Sequence, residues 1–169
     1  MTLAEINRFD QAGFAGLLGA VFERSPWVAE RAWERRPFRS VAELHTAMED
    51  AVSRASPGEQ LALVRAHPEL AGGEAQEGKM SVDSSSEQGR LGFHALSRRE
   101  LQRMTDLNRR YREKFGFPCI VALRLHATRQ SVMAEMELRI RKDREEEIQA
   151  ALAQIGHITR GRLEKLLNG

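Results

Sequence analysis

Four Ser-x-x-Glu boxes recur along this chain: Ser40 to Glu43, Ser56 to Glu59, Ser84 to Glu87 and Ser97 to Glu100. In such a box the serine hydroxyl accepts from a backbone N–H that a helix start leaves unbonded, and the glutamate reaches back to the serine's own N–H. A chain that opens segment after segment this way is built of helices. Leu44, Ala47, Met48 and Ala51 follow the first box at helical spacing. The second box carries proline at the first helical position, and its helix stops near Ala66-His67, because a residue before proline is pushed out of the helical region. The fourth opens a long segment to about Lys114, marked by Leu101, Met104, Leu107, Asn108 and Tyr111. Thr128 caps a helix from about Arg129 to Lys142, and a last helix runs from about Arg144 to Leu167, its acidic start suited to the positive end of the dipole. The apolar run Gly13 to Phe22 reads as a buried amphipathic helix and not a signal segment, since Glu5 and Asp10 precede it and no small-residue cleavage site follows. Strand candidates are nearly absent; Cys119 to Leu125 is at most a short extended piece. The expectation is an all-α fold, a single domain over residues 1–169 with about seven or eight helices. Residues 71–83, rich in glycine and polar groups, read as a loop.

Charge and cysteine content narrow the function classes. The 26 Lys and Arg against 24 Asp and Glu leave a net charge of only +2, and the two signs are interleaved as on solvated helix faces. No basic stripe of the kind a nucleic-acid binder presents is visible. Arg35-Arg36, Arg98-Arg99 and Arg109-Arg110 read as solvent-facing pairs. No stretch is long enough to span a membrane. The one cysteine, Cys119, rules out an intrachain disulfide and fits a reducing, cytoplasmic setting; it reads as a small packing residue. The five histidines are scattered, with no His-x-x-x-His pair, and no glycine-rich phosphate loop occurs. Neither a metal nor a cofactor is expected. Trp27, Trp33, Phe38, Phe115 and Phe117 read as core.

A few residues stand where chemistry is possible. His67 ends a helix, precedes a proline and opens the polar loop. Imidazole both gives and takes protons near neutral pH, although a helix-terminal histidine also serves simply as a favourable cap. Glu87 closes the third box; it caps, or it belongs to a helix start that meets a polar ligand. Gln88 offers an amide that gives and accepts at once. Arg162 is a solvated cation or a bidentate clamp for a carboxylate.

Taken together, several blocks resemble the OHCU decarboxylase family of ureide metabolism. They are Leu18-Gly19-x-x-Phe22-Glu23-x-Ser25-Pro26-Trp27-Val28-Ala29, Arg36-Pro37-Phe38, Arg65-Ala66-His67-Pro68-Glu69-Leu70-Ala71, Ser84-x-x-Glu87-Gln88, Leu107-Asn108-x-x-Tyr111-x-x-Lys114-Phe115-Gly116-Phe117-Pro118, and Arg162-Leu163. The His-Pro-Glu-Leu and Lys-Phe-Gly-Phe-Pro blocks are the most specific. The resemblance implies an all-helical homodimer, free of metal and organic cofactor, that converts 2-oxo-4-hydroxy-4-carboxy-5-ureidoimidazoline (OHCU) to (S)-allantoin and carbon dioxide. By the same resemblance His67 is the proton donor and Glu87 the carboxylate that assists it. Pro68, Ser84, Gln88, Cys119, Ile120, Val121, Leu123 and Arg162 fall on substrate-contacting positions. Departures from the family pattern are Cys119, where a larger apolar residue is usual, the Gly- and Glu-rich 71–83 stretch, and Gly161 beside Arg162.

The residues by themselves leave rivals open. A non-catalytic helical module would show a contiguous basic or apolar patch. Another decarboxylase or a hydrolase would use His67 and Glu87 with different polar contacts. A metalloenzyme would retain metal after chelation.

Overall fold

The computed structural model describes residues 1–168, among which there are ten α-helices, two short 3-10 turns and no strand. Seven of the helices have eight residues or more, and the expected all-α class is what forms. The additional helices are short: α1 (Leu3–Ile6), α3 (Trp27–Ala32) and α6 (Gly73–Gln76). None of the described helices is long and apolar enough to cross a membrane. The chain divides into two compact units. One comprises Met1–Ala66 and the chain from Gly156 onward; the other comprises His67–Ile155.

The first unit holds α1, α2 (Gln11–Leu18), α3, α4 (Val41–Ser53), α5 (Pro57–Ala66) and the end of α10 (Arg144–Asn168). Ser56 and Glu59 form a complete box, bonding each other's N–H groups at 3.1 Å in both directions. Ser40 caps α4 by accepting from the Glu43 N–H at 3.1 Å, but Glu43 reaches back to the Arg39 N–H at 2.7 Å and not to that of Ser40, so the first box is only half made. The apolar run from Gly13 is helical only to Leu18; the chain then turns, with Arg24 at a φ of 47°. Phe14, Leu18, Phe22, Val28, Phe38, Leu44, Met48 and Leu63 form the apolar core of this unit. The Arg36-Pro37-Phe38 block has a packing role. Arg36 donates to the carbonyls of Asn7 (2.8 Å) and Phe9 (2.9 Å) and stacks 4.1 Å over Trp33. Asn7 meanwhile bonds both backbone groups of Phe38. Arg36 is thus half-buried and engaged, not solvated as its pairing with Arg35 suggested; Trp27 and Trp33 are half-buried rather than core.

The second unit holds α6, α7 (Val82–Arg90), α8 (Arg98–Phe115), α9 (Arg129–Arg139) and α10 as far as Ile155. On α8, Met104, Leu107, Asn108, Tyr111 and Phe115 are buried, one stripe at helical spacing. Gly116, at a φ of 80°, ends the helix in the left-handed conformation that glycine adopts without cost. Tyr111, Phe115 and Phe117 then pack with ring centroids 4.5 to 6.0 Å apart. Lys114 donates to the carbonyls of Ile140 (2.6 Å) and Lys142 (2.8 Å), placing a cation at the end of α9, which stops at Arg139, three residues before the Lys142 expected. These contacts explain the Lys-Phe-Gly-Phe-Pro block.

The third box does not open its helix: Ser81 caps α7, accepting from the Ser84 N–H at 3.2 Å, so Ser84 sits inside the first turn and Glu87 lies mid-helix. A cap one turn earlier lets the helix propagate through the later one, since extension is cheaper than a new start. The loop over 71–83 therefore carries α6 and the beginning of α7.

Candidate active site

Three stretches singled out in the sequence meet within the second unit, and α7 is what joins them. Ser84, Glu87 and Gln88 lie at i, i+3 and i+4, on one face of that helix; Ser84 and Gln88 are buried and Glu87 is half-buried. His67 and Pro68, directly after α5, are both buried, His67 with only 5% of its surface exposed. A buried histidine at a helix end is no solvated cap.

The chain from His67 to Gly72 is pinned by side chains from two helices. Gln88 Oε1 accepts from the Ala71 N–H at 2.9 Å, and its Nε2 approaches the Glu69 carbonyl at 3.5 Å and Met80 Sδ at 3.1 Å. Asn108 Nδ2 donates to the Leu70 carbonyl at 2.8 Å, and one turn further along α8 Arg112 pairs with Glu69. Ala71 takes a φ of 50°, and a Cβ on Gly72 would come within 2.6 Å of Glu69 Cβ. The tight path explains why His-Pro-Glu-Leu-Ala-Gly is so particular in sequence.

The stretch Cys119–Leu123 is buried throughout and likewise held by side chains. Arg139 Nη1 donates to the Ile120 carbonyl; the Ala122 N–H donates to Gln154 Oε1 at 2.8 Å; Arg90 donates to the carbonyls of Leu123 and His126, the latter at 3.0 Å. Arg90 lies two residues beyond Gln88 on α7, so one helix ties the 67–72 path to the 119–126 segment. Behind it, Glu147 accepts from Arg139 Nε at 2.8 Å and from the Tyr111 hydroxyl at 2.5 Å. Burial pushes the Cys119 thiol up to about 12, against the pull of Arg139, so it stays protonated. Burial also raises the Tyr111 phenol, with Cys119 and the bond to Glu147 acting the same way. Burial works against the Arg139 charge, yet Cys119, Glu147 and Tyr111 hold its pKa above the ordinary arginine value.

A cavity of about 430 Å³ adjoins α7, with Ala71, Gln76, Met80, Gln88, Phe93 and Leu101 among its walls; its volume is in the range of small-molecule sites. Of the site residues read from sequence, Gln88 reaches it. Arg162 belongs to the first unit. It is buried there, with Nη1 donating to Glu23 Oε2 at 2.9 Å and to the Val21 carbonyl at 3.2 Å, which fastens the turn after α2. Among the described residues no three His, Cys, Asp or Glu side chains converge in a way that could hold a metal ion.

Sequence reasoning gave Glu23 no role beyond its place in the block over residues 18–29, and it missed Arg90, Arg139, Glu147 and Gln154. Each of these four looks like one more charged or polar group on a solvated helix face, and no local pattern separates them from their exposed neighbours.

Comparison with known proteins identifies the family. The OHCU decarboxylase family model matches residues 7–164. Over 96% of its length the chain is 41% identical to the 2-oxo-4-hydroxy-4-carboxy-5-ureidoimidazoline decarboxylase of Haloferax volcanii, covering 94% of that protein. It is 39% identical, over 98% of its length, to the enzyme of the same description from Halalkalicoccus jeotgali, covering 92% of it. A crystal structure of (S)-allantoin synthase superposes on 99% of the chain with a TM-score of 0.77 at 28% identity, and the chain spans 54% of that longer protein. With the fold, the His67 and Lys114 blocks and nearly the whole length accounted for, this chain belongs to the OHCU decarboxylase family.

Proposed function

We propose that this chain decarboxylates OHCU to (S)-allantoin and carbon dioxide in urate degradation, as a carboxy-lyase acting without metal or organic cofactor. The observation that carries the reading is the match of residues 7–164 to the family, including the blocks around His67 and Glu87. Residues 1–169 act as one OHCU decarboxylase-like domain in a cytoplasmic homodimer; sedimentation of the purified protein at twice its chain mass is the expected result for the dimer.

The chemistry asks little beyond orientation and proton delivery. The bond from the ring carbon to the carboxylate breaks, and carbon dioxide leaves. The electron pair passes to the neighbouring ring imine, whose nitrogen takes up a proton; the ring hydroxyl then loses its proton to become the carbonyl, and a proton is added at the carbon bearing the ureido group. The substrate's own imine accepts the electrons, so the protein supplies positioning and acid–base groups. His67 donates the proton from one face, and Glu87 orients the imidazole or the substrate hydroxyl. Pro68, Ser84, Gln88 and the stretch Cys119, Ile120, Val121 and Leu123 contact the substrate, the last stretch through backbone groups. Arg162 is assigned a substrate contact on the resemblance alone. Burial of His67, Ser84, Gln88 and residues 119–123 supports this reading, because a water-poor site strengthens polar contacts to a charged substrate.

The test is to generate OHCU freshly from urate, add the purified protein with a chelator present and follow allantoin by circular dichroism. One enantiomer appearing faster than unaided decay is expected. Racemic product at the background rate would overturn the reading.

A further inference from the structure

Resting on the reading that the 119–123 stretch contacts substrate, we propose that Arg139, supported by Glu147 and Tyr111, and Gln154 are positioning residues that aim the backbone N–H and C=O of Val121 at an amide-like edge of the substrate.

Peptide geometry carries the inference. The only cis bond among the described residues is Arg36–Pro37, so the peptide units on either side of Val121 are trans. In a trans unit the C=O and the following N–H point in opposite directions. Arg139 on α9 draws the Ile120 carbonyl toward itself, which turns the Val121 N–H away from α9. Gln154 on α10 takes the Ala122 N–H at 2.8 Å, which turns the Val121 carbonyl away from α10. Among the described residues neither backbone group of Val121 makes another hydrogen bond, although the residue is buried. Buried backbone groups are nearly always paired, so this donor and acceptor are placed for a ligand. A ureido or ring amide, with N–H beside C=O, complements such a pair.

The device behind this aim is costly, which argues against an incidental role. Arg139 and Glu147 are buried to 6% and 1% exposure, and the Tyr111 hydroxyl completes the carboxylate's shell at 2.5 Å. A buried ion pair is commonly no more stabilising than well-packed apolar residues. What it adds here is a guanidinium held in a fixed plane, with Nε on Glu147 and Nη1 on one chosen carbonyl.

The experiment compares wild type, Arg139→Met, Arg139→Lys and Gln154→Met on freshly generated OHCU, reading KM, kcat and the enantiomeric purity of the allantoin. A merely structural residue would lower the amount of active protein, and so apparent kcat, with KM and enantiomeric purity unchanged. The positioning role predicts that Arg139→Met raises KM by about tenfold, the worth of one well-placed hydrogen bond, and yields partly racemic product. Arg139→Lys recovers part of both. Gln154→Met, at a half-buried position, shifts both in the same direction and decides the matter if Arg139→Met does not fold. Wild-type KM and a single enantiomer in the folded variants would overturn the positioning role while leaving the decarboxylase reading intact. Wild type that fails to accelerate OHCU decay would overturn the decarboxylase reading, and this role with it.

Discussion

His67 shows what burial does to the meaning of a residue. At the surface, a histidine at a helix end is a cap; with 5% of its surface exposed beside a pinned turn, it is a side chain held in place. Positioned proton transfer is typically worth ~10²–10⁴-fold. His67→Ala is therefore expected to lose at least about a hundredfold in turnover while its far-ultraviolet circular dichroism stays that of the wild type. Glu87→Gln keeps the shape of the side chain but removes its charge, and a comparable loss is expected; full activity in either variant would remove that residue from the mechanism. Cys119 is the opposite case, a nucleophile by type that burial disarms. With its thiol pushed up to about 12 it should resist iodoacetamide at mildly alkaline pH while the protein is folded and react once guanidinium unfolds it. Rapid labelling of the native protein would contradict the packing seen here.

Among the elements, α7 matters most, because it is tied at Gln88 to the path after His67 and at Arg90 to the segment before α9. Gln88→Leu is of similar size but leaves the Ala71 N–H without its acceptor. Stranding a buried polar group costs about 1–3 kcal/mol, which a lower urea midpoint at unchanged slope would report. Activity should fall further than stability, since the turn it releases adjoins His67; a variant as stable and as active as wild type would show that Gln88 holds nothing. The capping boxes on α5 and α8 are legible because both partners lie within four residues of each other. The one at Ser84 misleads because a better-placed Ser81 captures the helix start.

Stability of the whole molecule carries a histidine signature of its own. His45 is buried on α4, with Nε2 at 3.0 Å from Thr159 Oγ1 and Nδ1 at 3.3 Å from Glu49. Burial lowers its pKa, with Glu49 opposing. The folded chain therefore takes up this proton at a lower pH than the unfolded chain, whose histidines titrate near 6.5. As pH falls below about 6.5 the unfolded state binds more protons and stability declines; above it His45 contributes no pH dependence. His45→Gln, which can still bond Thr159, should show a shallower decline in unfolding free energy between about pH 7 and about pH 5. An unchanged slope would place the acid sensitivity elsewhere.

Sequence by itself determined the helical class, most helix starts and the two blocks that mark the family, because capping, proline stops and helical periodicity act over a few residues. It also singled out His67, Glu87 and Gln88. Tertiary structure alone decided which polar residues do structural work. Arg162 finds Glu23 across 139 positions, Arg139 finds a carbonyl 19 positions earlier, and Asn108 finds one 38 positions earlier. A charge on a helix carries no local sign of the partner it will meet. That partner is chosen only when helices pack and the cost of removing a charge from water leaves it no alternative.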